Sequence, residues 1–210
     1  MFEKLPQAVG EALGDVRAGL TQTLFHAVDL RQGTARLSLG SLAFADHAPI
    51  PEQYTADGAG LSPPLHWSGV PAQAVELALI VEDADSPTPQ PLVHAIVHGL
   101  PVPPDGTGAL AEGVMDAAEG TDPQVPMGRN SLLMARWLPP DPPPGHGVHR
   151  YVFQLWALQA GEALPDVPGR EALATALAGR ALASACLIGT YERPSTRIDE
   201  PLGAAVPALA

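Results

Sequence analysis

The chain is 210 residues long, with 21 Gly, 24 Pro, a single Cys and a formal net charge of −12. That length supports one well-buried core, the lone Cys186 excludes an intrachain disulfide, and no apolar run is long enough to span a membrane. Between Leu37 and Gly128 stand twelve Asp or Glu and no Lys or Arg, which argues against binding to nucleic-acid phosphates and against electrostatic docking on anionic lipid.

The start, Met1-Phe2-Glu3-Lys4, lacks the basic stretch and apolar run of a signal peptide, so a cytoplasmic location is expected. Leu5, Val9, Leu13, Val16, Leu20 and Leu24 recur at steps of three and four and predict one amphipathic helix over residues 5–28. Gly10, Gly14 and Gly19 weaken it, so it needs a surface to pack on, either its own domain or a second copy in a homodimer. Residues 37–45 read as a first strand, and 49–64 as an irregular loop with a turn signal at Asp57-Gly58. Leu77–Val81 is a short continuous apolar run of the buried-strand type, and Leu92–His98 is a further strand closed by Gly99 and Pro101. Residues 102–130 are rich in Gly and Pro without a period, a long excursion of the kind that often carries function. Val152–Leu158 predicts a third strong strand, Arg170–Ala185 a helix with Leu173, Leu177 and Leu182, and Leu187–Tyr191 a last strand. Residues from Pro194 onward read as a tail. Strands without regularly interleaved helices point to a mainly antiparallel β core with peripheral helices rather than a doubly wound sheet.

The polar residues of interest sit at strand ends. His149 and Tyr151 open the third strand behind the stiff run Leu138–Gly145, and alternation points both the same way. Asp83 and Asp85 follow the Leu77–Val81 strand and share a face if the strand persists. Crowding and burial would then raise one carboxyl far enough to keep it protonated and donating. His94 lies inside an apolar strand, with His98 expected on the same face. Each has an ordinary reading as turn, solvated or core residue; together they converge only if the three strands are neighbours. Arg150 is sent by parity to the face opposite His149. Cys186, in the apolar stretch Ala181–Ile188, is expected to be a packed small side chain rather than a nucleophile.

The ordered pieces Ile50–Gly58, Ser62–Trp67, Val70-Pro71, Ile80–Pro87, His94, Pro142–Tyr151 and Gly189–Tyr191 resemble the phosphatidylethanolamine-binding protein family, in its bacterial Raf-kinase-inhibitor-like branch. The resemblance spans residues 37–193. It divides the chain into an N-terminal helical extension (1–36), the family domain (37–193) and a C-terminal tail (194–210). It implies an antiparallel β-sandwich with Greek-key connections, flanked here by the N-terminal amphipathic helix and a C-terminal helix. It also implies a small pocket for phosphate- or carboxylate-like groups, lined by the positions matching Asp83, Asp85, Pro87, His94, Asp141, Pro142, His149 and Tyr151. A cis Ser86–Pro87 bond is a further implied feature. The sequence departs from the family pattern at Ala84 and at Asp141, where an ionised carboxylate facing the pocket would repel an anion.

The function expected is a small-ligand or anion-binding protein, regulatory through a protein partner, without catalysis, cofactor or metal. A metal-dependent or acid–base enzyme using Asp83, His94 and His149 is the alternative, since two histidines and a carboxylate can hold a divalent ion. A second alternative is an interaction protein working through its N-terminal helix. The absence of a Gly-x-Ser-x-Gly elbow argues against a serine hydrolase.

Overall fold

The computed structural model describes residues 6–28, 30, 37–116 and 125–193. The predicted tail from Pro194 and part of the 102–130 excursion lie outside these residues. Nine strands are described: β1 (Ser38–Gly40), β2 (Ala48–Pro49), β3 (Leu65–Ser68), β4 (Glu76–Asp83), β5 (Leu92–Leu100), β6 (Gly108–Leu110), β7 (Met127–Gly128), β8 (His149–Leu158) and β9 (Ala181–Tyr191). They form a three-stranded sheet, in the order β1-β3-β6, and a six-stranded sheet, in the order β2-β9-β8-β4-β5-β7. All strand pairs are antiparallel except β2 with β9.

The continuous apolar run of β4 is explained by its place beside β8 and β5, where both of its faces are covered. On one face, Leu77, Leu79 and Val81 join Tyr151, Phe153 and Leu155 of β8 in a core that also takes Leu65, Trp67 and Leu110 from the small sheet. On the other face, Ala78, Ile80, Trp156 and Leu158 pack with Leu173 and Leu177 of α3 (Arg170–Arg180) and with Leu24. Burying one such leucine contributes about 1.5–3 kcal/mol, so these two layers dominate the stability of the sheet. The small sheet shows the alternation of a half-buried strand, with Leu65 and Trp67 inward and His66 and Ser68 outward.

The predicted helix at 170–185 ends at Arg180. Four of the next five residues of the alanine-rich run pair with β8 instead, from Ala181 opposite Leu158 to Ala185 opposite Leu155, with Leu182 in a register shift. Tertiary pairing overrides the strong intrinsic helix preference of alanine, which is only a weak guide against tertiary context. Arg180 fixes the switch by donating to the carbonyls of Gln159 and Glu162 and to Glu76.

The predicted single helix over 5–28 is not formed. The segment holds α1 (Gln7–Ala12), a 3₁₀ turn (Leu20–Gln22) and α2 (Leu24–Ala27). Gly19, at φ +95°, stands in a conformation no helix contains. Val9 and Val16 of the expected apolar stripe are exposed. The backbone is used instead to dock on the chain's own domain: Ala18 and Gly19 donate to the carbonyls of Ser86 and Ala84, and Leu24 N–H donates to Glu82. Glu82, fully buried, also accepts from Arg170 and Gln154, so one carboxylate ties α2 and α3 to the back of β4.

Candidate functional site

The ends of β4, β5 and β8 meet, as their order in the sheet requires. Asp83, the last residue of β4, pairs with Tyr151 on one side and Leu92 on the other. His149 and Tyr151 lie on the same face with rings 6.4 Å apart and nearly parallel. The β4–β5 register slips between Val81, opposite Ala95, and Glu82, opposite Val93, so His94 is the extra residue of a bulge. The bulge turns His94 to the side of Ala95, and its ring stands edge-on to Tyr151 at 5.1 Å and near Trp137 at 6.0 Å. Simple alternation therefore fails in β5. His98 does not share the face of His94 but hydrogen-bonds to the backbone of Asp166, and burial lowers its pKa.

A hollow of about 30 Å³ opens here, walled by Asp83, Pro87, His94, Asp141, Pro142 and His149, with Leu92, Leu132, Leu138 and Pro139 among the apolar parts of its rim. Two expected members are placed otherwise. Tyr151 is fully buried in the layer beneath. Asp85 is turned away from the hollow. The strand ends at Asp83, whose Oδ1 accepts the N–H of Asp85, and this turn sends the next carboxylate to the opposite side. There Asp85 meets Arg150 at 2.7 Å and Arg17 at 3.1 Å. Burial alone would raise the Asp85 carboxyl, but the hydrogen bonds and charge of Arg150, with Arg17, hold it below the usual range. Arg150 thus lies opposite His149, as parity predicts. The Ser86–Pro87 bond is trans, contrary to the expectation of a cis proline.

His149 is engaged at both nitrogens. Nδ1 lies 2.7 Å from Asp83 Oδ2 and Nε2 lies 2.7 Å from Nδ1 of His146. His146 Nε2 in turn lies 2.9 Å from the Leu13 carbonyl. A carbonyl only accepts, so His146 Nε2 carries hydrogen. Burial, and then the charges of His149 and Arg17, lower the pKa of His146 and keep it neutral, so its Nδ1 accepts from His149 Nε2–H. The contact between His149 Nδ1 and Asp83 Oδ2 completes a run of hydrogen bonds from Asp83 through His149 and His146 to Leu13. His146 was not singled out in the sequence; its place three residues before His149, inside the glycine-flanked loop, was the available signal.

His94 is set differently. Its Nδ1 donates to the Leu138 carbonyl at 2.6 Å, and burial lowers its pKa. The ring is therefore neutral and Nε2 is a bare acceptor. Among the described residues, His94 Nε2 and the Tyr151 hydroxyl are buried without a partner. Burial, followed by the nearby charges of Asp83 and Asp141, pushes the Tyr151 phenol well above its ordinary range, so it stays a donor.

Asp141 does not stand alone. Arg193 reaches it at 2.8 Å, holds Asp57 with three contacts and donates to the Pro142 carbonyl at 2.9 Å. This one guanidinium fixes the proline loop from behind. Arg193 lies 52 residues beyond Asp141 in sequence, and nothing local in either segment signals the pair. The alternative metal set of Asp83, His94 and His149 lacks a free nitrogen on His149. Among the described residues no group of three His, Cys, Asp or Glu is arranged to hold an ion.

A sheet of this order, with a carboxylate, two histidines and a proline loop gathered at one edge, defines a β protein with a small polar hollow at its strand ends. The chain matches the phosphatidylethanolamine-binding protein family over residues 40–192 and belongs to it. It is 41% identical over 157 residues to a UPF0098 protein of Methanothermobacter thermautotrophicus, covering 75% of this chain and 99% of that one. It is 39% identical over 156 residues (74% and 72% coverage) to LppC of Mycobacterium tuberculosis, whose name marks it as a candidate lipoprotein. Among solved structures, the phosphatidylethanolamine-binding protein homologue CT736 of Chlamydia trachomatis superposes with a TM-score of 0.66 at 35% identity, covering 76% of this chain and 99% of that one. YbcL of Escherichia coli gives 0.68 at 25% identity with the same coverage. No helix among the described residues is long and apolar enough to cross a membrane.

Proposed function

We propose that the protein is a binding module for a small oxygen-bearing head group, of phosphate or carboxylate type, seated between His94, Asp83 and the proline loop, with no catalysis at the site. The observation that carries this reading is the buried, unpartnered His94 Nε2 at the wall of the hollow, with the unpartnered Tyr151 OH in the layer beneath it. Leaving such an atom unsatisfied costs about 1–3 kcal/mol, and a bound group would offset that cost. The acid–base alternative draws on the Asp83–His149–His146 run, but both nitrogens of His149 are already engaged, which favours binding over proton transfer to a substrate.

The same reading takes the two sheets as a Greek-key sandwich, supported by the core they share, and a cytoplasmic protein acting on a protein partner. Cell fractionation checks the location, since a relative carries a lipoprotein name. For the binding itself, imidazole NMR signals of the full chain are followed during titration with sodium phosphate and sodium acetate. A saturable shift of the His94 signals by either salt is expected. Shifts confined to other histidines would refute the site.

A further inference from the structure

Residues 7–19 precede the stretch that matches the family and run across both walls of the hollow. One wall is the turn after β4, where Ser86 and Pro87 line the space; the other is the proline loop, with Pro142 and Pro143. Ala18 N–H donates to the Ser86 carbonyl at 3.1 Å and Gly19 N–H to the Ala84 carbonyl at 2.7 Å. Arg17 donates to the carbonyls of His146 and Val148, each at 2.8 Å, and meets Asp85 at 3.1 Å on the side away from the hollow. α1 packs on the proline loop itself. A Cβ at residue 10 would run into the Pro144 carbonyl, so only glycine lets the helix come this close.

The far half of the loop depends on this contact. Pro142 is held from behind by Arg193. Among the described residues, the hydrogen bonds that leave the loop from Pro144–Val148 run to the N-terminal segment and to His149. Gly145 and Gly147 stand at φ +77° and +88°, where the backbone can turn with no side chain to oppose it. The loop thus has an anchored end at Pro142, two pivots, and a fastening supplied by residues 10–17. Unfastened, Pro143 can move away from Pro87 and widen the mouth. As fastened, the hollow offers about 30 Å³, room for about two water-sized atoms on the measure by which one water needs 10–15 Å³.

On the binding reading above, we propose that residues 7–19 are a strap that sets the width of the hollow's mouth and so the bulk of the head group admitted, with Gly10 and Arg17 as its determining contacts. With the strap down, a slender terminus enters between Pro87 and Pro143 and a branched one of the same charge does not. With the strap lifted, both enter.

Acetate and pivalate carry the same carboxylate and differ only in bulk. Their sodium salts are titrated at one neutral pH into the full chain, as wild type, Gly10→Val and Arg17→Met, with the His94 imidazole signals as readout. Gly10→Val pushes α1 off Pro144, and Arg17→Met removes the two carbonyl contacts but keeps the stem; neither residue lines the hollow. Lifting of the strap is registered separately, by faster limited proteolysis within residues 6–19. The wild type is expected to bind acetate at least about tenfold more tightly than pivalate, a discrimination of the size a close-fitting wall supplies, and both variants to bring the two salts toward parity. A general loosening would instead weaken both salts alike and leave their ratio unchanged. A wild-type ratio in variants whose strap is cut faster overturns the strap while the binding reading stands. So does a wild type that binds both salts equally, or unchanged cleavage in both variants. If neither salt moves His94 in the wild type, the binding reading and the strap both fall.

Discussion

His146 donates from Nε2 to the carbonyl of Leu13 at 2.9 Å, and its other nitrogen accepts from His149. The N-terminal segment, which precedes the stretch matching the family, is thereby joined to the histidine at the edge of the hollow. Arg17 strengthens the junction by donating to the carbonyls of Val148 and His146. Replacing His146→Phe removes both ring hydrogen bonds and leaves His149 Nε2–H and the Leu13 carbonyl unpaired, at about 1–3 kcal/mol for each buried group. Limited proteolysis is expected to cut within residues 6–28 of this variant well before the wild-type chain. Equal cleavage rates would show that the segment is held by its other contacts.

Acid pH should weaken the fold in two stages. Burial lowers the pKa values of His94, His98 and His146 in the folded chain. Above about pH 6.5 these rings are neutral in both states. Below it the unfolded chain takes up protons that the folded chain resists, so stability falls as pH drops from about 6.5. Asp85 is the opposite kind of group, held below the usual range in the folded state. Its contribution is present above about pH 4 and is lost as pH falls through the folded value. Denaturant midpoints measured from pH 7.5 to pH 3.5 check both stages, and His98→Gln should soften the first without touching the hollow.

Arg193→Ala leaves the carboxylate of Asp141 buried without its cation and frees the Pro142 carbonyl. Breaking a buried pair from one side costs about 3–5 kcal/mol. The double change Arg193→Ala with Asp141→Asn should recover part of the loss, because the stranded charge is gone. A double-mutant cycle by chemical denaturation measures the coupling. Additive losses would mean that Arg193 acts through Asp57 and the Pro142 carbonyl rather than through Asp141.

Asp85→Asn separates the structural carboxylate from the hollow. Its partners Arg150 and Arg17 lie on the other side of the sheet end, so stability should fall while probe binding at His94 is unchanged. His94→Leu should do the reverse, removing binding with the fold intact. Lost binding in Asp85→Asn, with folding preserved, would return that residue to the site.

Cys186 should be slow toward thiol reagents. Burial, with Asp46 nearby, pushes its pKa up to about 12, so little thiolate exists at neutral pH. Labelling with a disulfide reagent at pH 8 is expected to lag far behind that of free cysteine.

The strands that carry the site were legible because their signals are local. Leu77–Val81 and Val152–Leu158 are apolar runs, and the polar residues at their ends follow by alternation. The side of the sheet each would face was legible where the pleat is regular, as for His149, Tyr151 and Arg150. It was not legible at His94 and His98, because a bulge is fixed by pairing with β4 rather than by β5 itself. Asp85 was misplaced because a turn bonded to Asp83 breaks the alternation just beyond the strand. The apolar spacing of residues 5–28 suggested one helix, but Gly19 and the docking of backbone amides on Ser86, Ala84 and Glu82 decided otherwise. Arg193 and His146 act over 52 residues and 133 residues of sequence respectively, distances at which local patterns carry no information.

The slip in β5 makes the position of one imidazole depend on a count. Removing Val93 would restore an even ladder between β4 and β5, with Ala95 still opposite Val81, Leu92 still opposite Asp83 and His94 now opposite Glu82. It would also rotate residue 94 toward α3 and the helical side, leaving the Leu138 carbonyl without its donor. A shortened chain of that kind should fold and yet be inert toward every probe, which ties recognition here to a miscount in the weave rather than to any single acid or base.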